Sequence, residues 1–175
     1  MYLKKSVFGW QIAGFLFTSV AGTLLHFLYD WTGENSVAGL FSAVNESIWE
    51  HMKLIYFPML LFSLVQRKYA DDSNFWCIKL VGMLTALILI PVLYYTYTGA
   101  LGISADWFNI AIFFLAAGVS YYVETILFQR MIACPVKPWI ALGVLLLIGI
   151  LFVIFTFFPP HIPLFTDQRT GELGI

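Results

Sequence analysis

Residues 138–158 read PWIALGVLLLIGILFVIFTFF, twenty-one residues without a charge. A helix needs about 20 predominantly apolar residues to cross the hydrocarbon of a bilayer, so this stretch alone sets the solvent of the fold as lipid. The gaps between charges repeat the signal elsewhere. Twenty-four uncharged residues separate Lys5 from Asp30, and twenty-six separate Lys79 from Asp106, with Pro91 as an expected kink tolerated by a membrane helix. From Trp107 to Arg130 the apolar run is interrupted by a single charge, Glu124. Composition agrees: 61% of residues are hydrophobic and 11% charged, where soluble domains carry about 25% charge. A mean hydropathy of +0.86 over 175 residues is more apolar surface than one soluble core of this size hides. The net charge of -1 offers no basic excess for nucleic acid.

The segment Leu54–Gln66 is different, because its thirteen uncharged residues reach only about 20 Å against a hydrocarbon thickness of roughly 30 Å. It crosses only if extended backward toward Phe41, which carries Asn45, Glu46, Glu50, His51 and Lys53 into the head-group region or deeper. The expectation is therefore an all-α integral membrane bundle of five transmembrane helices in one domain over 1–175. The spans fall at about 7–29, 41–66, 77–98, 106–129 and 138–158, followed by a proline-stiffened tail over 159–175.

Basic residues give the orientation. With the N terminus cytoplasmic, the inner side receives Lys4, Lys5, Arg67, Lys68, Arg130 and Lys137, with Lys79 close by, and the outer side only Lys53 and Arg169. This predicts a multi-pass cell-membrane protein, N-in and C-out, with the first segment an uncleaved helix. The six tryptophans fall near span ends, as an interfacial belt requires. Cys77 and Cys134 fall on the inner side, where thiols stay reduced, which argues against a disulfide. Cys134-Pro135 as a haem ligand is a weak signal beside an ordinary loop thiol.

Helical periodicity then sorts the polar residues. Ser19, Gly22, Thr23, His26 and Asp30 share an arc of about 100°, a small and polar stripe that turns toward the bundle and brings His26 and Asp30 together. Asp106, Asn109, Ala116, Ser120 and Glu124 share another face. Glu46, Glu50 and Lys53 lie within about 60° of one another on a continued helix, and His51 points some 100° away from Glu50. All three histidines, His26, His51 and His161, belong to the outer half, together with Asp30, Glu34, Glu46, Glu50, Asp106 and Asp167.

Imidazole and carboxylate are the ligand set of zinc and similar divalent metals, and a metal-bound water beside a carboxylate is a hydrolytic arrangement. The candidate metal ligands are His26, Glu50, His51 and His161, with Glu46 and Glu50 as acid/base groups, acting on a lipid-like substrate. Asp30, Asn45, Asp106, Asn109 and Glu124 complete the polar set. Structural readings stand beside this one. Glu46, Glu50 and Lys53 also suit the wet face of an interfacial helix, and His26 with Asp30 a helix-packing hydrogen bond. Glu124, near the inner end, snorkels or pairs with Arg130, with a proton relay as the alternative. Two further functions compete with the metal site: a binding or transport component using the polar stripes, and an assembly partner of another membrane protein.

The run Asn45-Glu46-Ser47-Ile48-Trp49-Glu50-His51-Met52-Lys53, preceded by His26-Phe27-Leu28-Tyr29-Asp30-Trp31 and closed by Pro159-Pro160-His161-Ile162-Pro163-Leu164-Phe165, resembles a family of small bacterial multi-pass membrane proteins of unknown function. The resemblance covers most of the chain and implies a bacterial inner-membrane location; it brings no activity with it. A more distant comparison is with the membrane hydrolases that include alkaline ceramidases and adiponectin-type receptors. This chain has fewer spans and no His-x-x-x-His pair near its C-terminal end, so only the analogy carries over, that small helical bundles host lipid-directed metal hydrolysis.

Overall fold

The computed structural model describes residues 4–70, 73–130 and 134–175. Among the described residues six helices form: α1 (Lys4–Trp31), α2 (Ser36–Gly39), α3 (Ile48–Arg67), α4 (Phe75–Leu101), α5 (Asp106–Arg130) and α6 (Pro138–Phe157). All but α2 are long and apolar enough to cross a membrane. No strand forms among the described residues; a lone antiparallel bridge joins Thr166 and Leu173.

The helix boundaries follow from local chemistry. Asn35 caps α2, its side chain accepting from the Val37 amide at 2.8 Å. Ser47 caps α3 by accepting from the Glu50 amide, and Asn45 accepts from the Ser47 amide one step earlier. The second span therefore starts at Ile48, and residues 41–47 are not its helical extension. Its 20 residues suffice, because at 1.5 Å each they reach about 30 Å. Helix α4 stops at Gly102, whose φ of 68° is the left-handed conformation of a helix C-terminus. Helix α6 opens on Pro138, where the missing amide hydrogen costs nothing.

Helix α3 is the central element. It packs on α1, α4 and α6, while α5 lies against α1 and α4. Ile55, Tyr56 and Met59 are almost fully buried, and the Tyr56 hydroxyl donates to the Leu145 carbonyl of α6. The stripe on α1 faces the bundle in part: Ser19 and Gly22 are buried and His26 half-buried, while Thr23 and Asp30 are exposed. A Cβ on Gly22 would lie 2.5 Å from the Leu54 carbonyl oxygen of α3 and 2.6 Å from Phe113 of α5, so only glycine permits this approach.

Among the described residues two ion pairs are buried inside the bundle. Lys53 Nζ lies 2.5 Å from Glu50 Oε2, 2.8 Å from the Gly39 carbonyl and 2.7 Å from Thr156 Oγ1. Thr156 donates to the other Glu50 oxygen, and the Val44 amide donates to the first. This pair joins α3 to α6 and to the α2 segment. At the other end of the bundle Lys79 meets Glu124 at 2.5 Å with both side chains inaccessible. The expected snorkelling of Glu124, or its pairing with Arg130, is corrected: Lys79 is closer in the fold, because α4 and α5 lie side by side and Gly82 leaves room for the carboxylate.

A second correction concerns the cysteines. Cys77 and Cys134 form a disulfide, their Cα atoms 6.2 Å apart, tying the start of α4 to the connection before α6. The expectation of free thiols came from the inner side assigned by charge, and it could not see that packing α4 on α6 brings the two residues within bonding reach.

The tail over 159–175 folds back across the end of the bundle that carries the start of α3. The Trp49 amide donates to the Leu164 carbonyl, and the Ile175 amide to the Thr156 carbonyl. Phe165 packs on the Trp49 ring with 4.6 Å between centroids.

Candidate functional site

Three side chains from separate segments converge beneath this tail. His26 comes from the last third of α1, Glu46 from the loop before α3, and His51 from the first turn of α3. Each offers a ligand atom, and the three atoms lie within 4.8 Å of one another. His51 Nε2 is 3.5 Å from Glu46 Oε2, and His26 Nε2 is 3.9 Å from Glu46 Oε1. The two imidazole rings meet edge to face, 5.3 Å apart. None is sealed: the side chains are 33%, 33% and 25% exposed for His26, Glu46 and His51.

The tautomer of His51 follows from its partner. Its Nδ1 lies 2.8 Å from the Ser47 carbonyl, which can only accept, so Nδ1 carries the proton. In the neutral ring Nε2 then presents a lone pair to the Glu46 carboxylate. Two acceptors facing each other hold together only through a second ring proton or through a cation between them. A backbone carbonyl that orients a ring through its far nitrogen is also the usual outer support of a metal-bound histidine. A tetrahedral ion with bonds of about 2.1 Å sets its ligand atoms roughly 3.4 Å apart, against 3.5 and 3.9 Å from the Glu46 oxygens to the two imidazole nitrogens.

Glu46 owes its position to the tail. Its backbone amide donates to Asp167 Oδ2 at 2.8 Å, while Asp167 Oδ1 accepts from the amides of Arg169 and Thr170 at 2.6 and 2.8 Å. Burial works to raise the Asp167 pKa, but these three amide donors outweigh it and hold the carboxyl below its ordinary value. Arg169 reaches across to Asp106 at 3.0 Å, and Glu46 and then Asp106 raise the pKa of its guanidinium further, so it stays charged.

The cluster opens into a cavity of about 370 Å³ between α1 and α5, which extends past Thr23 and Phe27 to Ile110 and Phe114. A second cavity of about 230 Å³ lies on the other side of Glu46 and His51, toward Tyr94 and Gln168. Asp106, Asn109 and Arg169 border both.

The remaining sequence candidates divide cleanly. Glu50 stands apart from the cluster: it belongs to the buried pair with Lys53, about 100° around α3 from His51. The shared face expected for Glu46, Glu50 and Lys53 does not exist, because Glu46 precedes the helix. His161 is exposed in the tail and lies outside the group. Asp30 is exposed and makes no hydrogen bond with His26, whose partner is Glu46 instead. Asn45 is structural, linking the Ser47 amide to the Gly174 carbonyl. Asn109 accepts from the Tyr97 hydroxyl at 2.5 Å, and Glu124 is far away at the disulfide end.

Asp167 and Arg169 are the residues whose role sequence reasoning missed. The pattern Asp-Gln-Arg-Thr-Gly at 167–171 is legible as a turn in which the aspartate side chain accepts from amides just ahead, closed by Gly171 at a φ of 79°. What it does not reveal is that the same carboxylate also captures Glu46.

No curated protein and no solved structure is similar enough to this chain to count as a match. The model of a family of unknown function, DUF6512, matches residues 2–175, and the chain belongs to that family.

Proposed function

We propose that His26, Glu46 and His51 hold a divalent cation of the zinc class and that this centre hydrolyses a lipid-like substrate. The observation that carries the reading is the His51 Nε2 lone pair, fixed by the Ser47 carbonyl, aimed at a carboxylate and a second imidazole at the mouth of a cavity. Two histidines and one carboxylate leave an open fourth position for water, the arrangement of hydrolytic zinc rather than structural zinc. A cation held there would supply the acidity that makes a bound water a nucleophile at neutral pH. Glu46, the carboxylate beside both imidazoles, would be the group placed to accept that water's proton and return it to the leaving oxygen of an acyl or phosphoryl ester.

We place the centre at the extracytoplasmic face of a cell membrane, with the N terminus cytoplasmic. Arg67, Lys68, Arg130 and Lys137 at the disulfide end against Lys53 and Arg169 at the site end support that orientation. The close approach at Gly22 seals α1 against α3 and α5 just below the cavity, which weighs against a continuous transport path.

The test is elemental analysis of the purified full chain. About one zinc per chain is expected in the parent, in His161→Ala and in Glu50→Gln, with loss in His26→Ala and His51→Ala. A parent without stoichiometric metal after zinc loading, or histidine variants that retain it, removes the reading.

A further inference from the structure

The cavity between α1 and α5 has a composition that the metal alone does not need. Its walls beyond the histidines are Phe27 on α1 with Ile110 and Phe114 on α5. All three are large apolar side chains left 44%, 58% and 39% exposed, so the cavity is not closed over by protein on this side, where an embedded helix meets lipid. The mouth is therefore continuous with the bilayer, and a ligand can enter sideways without leaving the membrane. The floor is shallow. Gly22 and His26 are four residues apart on α1, about 6 Å of rise, and at Gly22 the helices close to backbone contact. There is room for a head group above this floor, and none for a chain running down through the bundle, so an acyl chain must stay in the lateral opening.

Charge selects the head group. Glu46, Asp106 and Arg169 are the charged side chains of the lining. Alone they carry a negative balance that repels anions. A divalent ion at the cluster reverses the sign and presents hard positive charge beside a guanidinium of which a single nitrogen is engaged, by Asp106.

We infer that this cavity takes an anionic phospholipid from the side, its phosphate oxygens on the bound cation and Arg169 and its chain between Phe27, Ile110 and Phe114. The inference rests on the metal reading above and adds the substrate class and the route of entry.

The experiment uses the full chain in phosphatidylcholine nanodiscs doped with a phosphatidic acid probe that carries a diazirine on its acyl chain. A phosphatidylcholine probe with the same chain is the control, each with zinc and with chelator, and zinc is quantified in every sample. In zinc-loaded protein the phosphatidic acid probe is expected to label the peptides around Phe27, Ile110 and Phe114 about ten-fold more than the control, the scale of one charge-assisted hydrogen bond. Chelation and Arg169→Gln should each erase the excess, and Arg169→Lys should restore part of it. Equal labelling by the two probes in protein that retains its zinc overturns the inference and leaves the metal reading standing. Excess labelling that survives chelation also overturns it, since the head group is then held without the ion. Absence of zinc from loaded protein overturns both.

Discussion

Replacing Lys53 with methionine separates the two roles that the Glu46–Lys53 stretch combines. The ammonium uses all three of its protons, on Glu50, on the Gly39 carbonyl and on Thr156. Methionine fills a similar volume and supplies none of them. Glu50, 2% exposed, keeps only the Val44 amide and the Thr156 hydroxyl, and the Gly39 carbonyl loses its side-chain donor. Removing one member of a buried ion pair costs about 3–5 kcal/mol, because the other is left uncompensated. At 2–4 °C per kcal/mol for a chain of this size, the midpoint of thermal unfolding should fall by roughly 6–20 °C. Glu50→Gln combined with Lys53→Met removes both charges and should recover at least half of that loss. Unfolding is followed by circular dichroism in detergent, with zinc content measured on the same samples at low temperature. The zinc content should not change, since Glu50 and Lys53 stand outside the cluster. A single variant as stable as the parent, or a double variant as unstable as the sum of its parts, would refute the idea that this pair is a buried mutual dependence.

Four other outcomes follow from the same geometry. Zinc at a hundred times its dissociation constant should stabilise the parent by about 2.7 kcal/mol and leave His51→Ala unmoved, and the stabilisation should disappear in acid because the ligands must be deprotonated. The Asp167 carboxyl is depressed in the folded chain, so its contribution is complete above the unfolded value and is lost as pH falls through the folded one; the protection of the Glu46, Arg169 and Thr170 amides against exchange, relative to free amides at the same pH, should fall over that acid range in the parent, and at neutral pH in Asp167→Asn. Gly22→Val should cost several kcal/mol, or prevent folding, by driving a side chain into the Leu54 carbonyl; a stable variant would show that α1 sits elsewhere. Cysteine trapping in intact cells tests the orientation: a cytoplasmic disulfide end predicts Cys77 and Cys134 reduced in vivo and oxidised only after lysis, whereas quantitative oxidation in vivo would reverse the orientation.

The spans were legible because lipid leaves no choice. Twenty-one uncharged residues in a row have one stable conformation in a bilayer, and α6 forms almost where the run lies. The start of α3 was not, because charge counting measures the length that a span requires and not where a cap begins it. Ser47, with its hydroxyl on the Glu50 amide, was the missing sign. At the site, the nearness of His26 to the Asn45–Lys53 motif was readable as membrane depth. The division of the motif into a cluster half, Glu46 and His51, and a packing half, Glu50 and Lys53, depended on which neighbour covers each side of α3. That is a long-range fact: the Glu50–Lys53 pair is closed off by Thr156, 106 residues from Glu50, and no local period encodes it. Lys79 and Glu124 were misread for the same reason, since proximity along the helix favoured Arg130 and proximity across helices decided otherwise.

The anchor of Glu46 on Asp167 sets an order of assembly. The two residues are 121 positions apart, and α3, α4, α5 and α6 all lie between them. At a synthesis rate of about 5–20 residues per second, Glu46 leaves the ribosome roughly 6–24 s before its partner exists. Throughout that interval the histidines can meet, but the Glu46 amide lacks its anchor on the tail. The cluster therefore gains its tail anchor only after α6 has formed and the tail has folded back over the start of α3. A nascent chain still occupied with insertion carries no finished site toward the lipid around it.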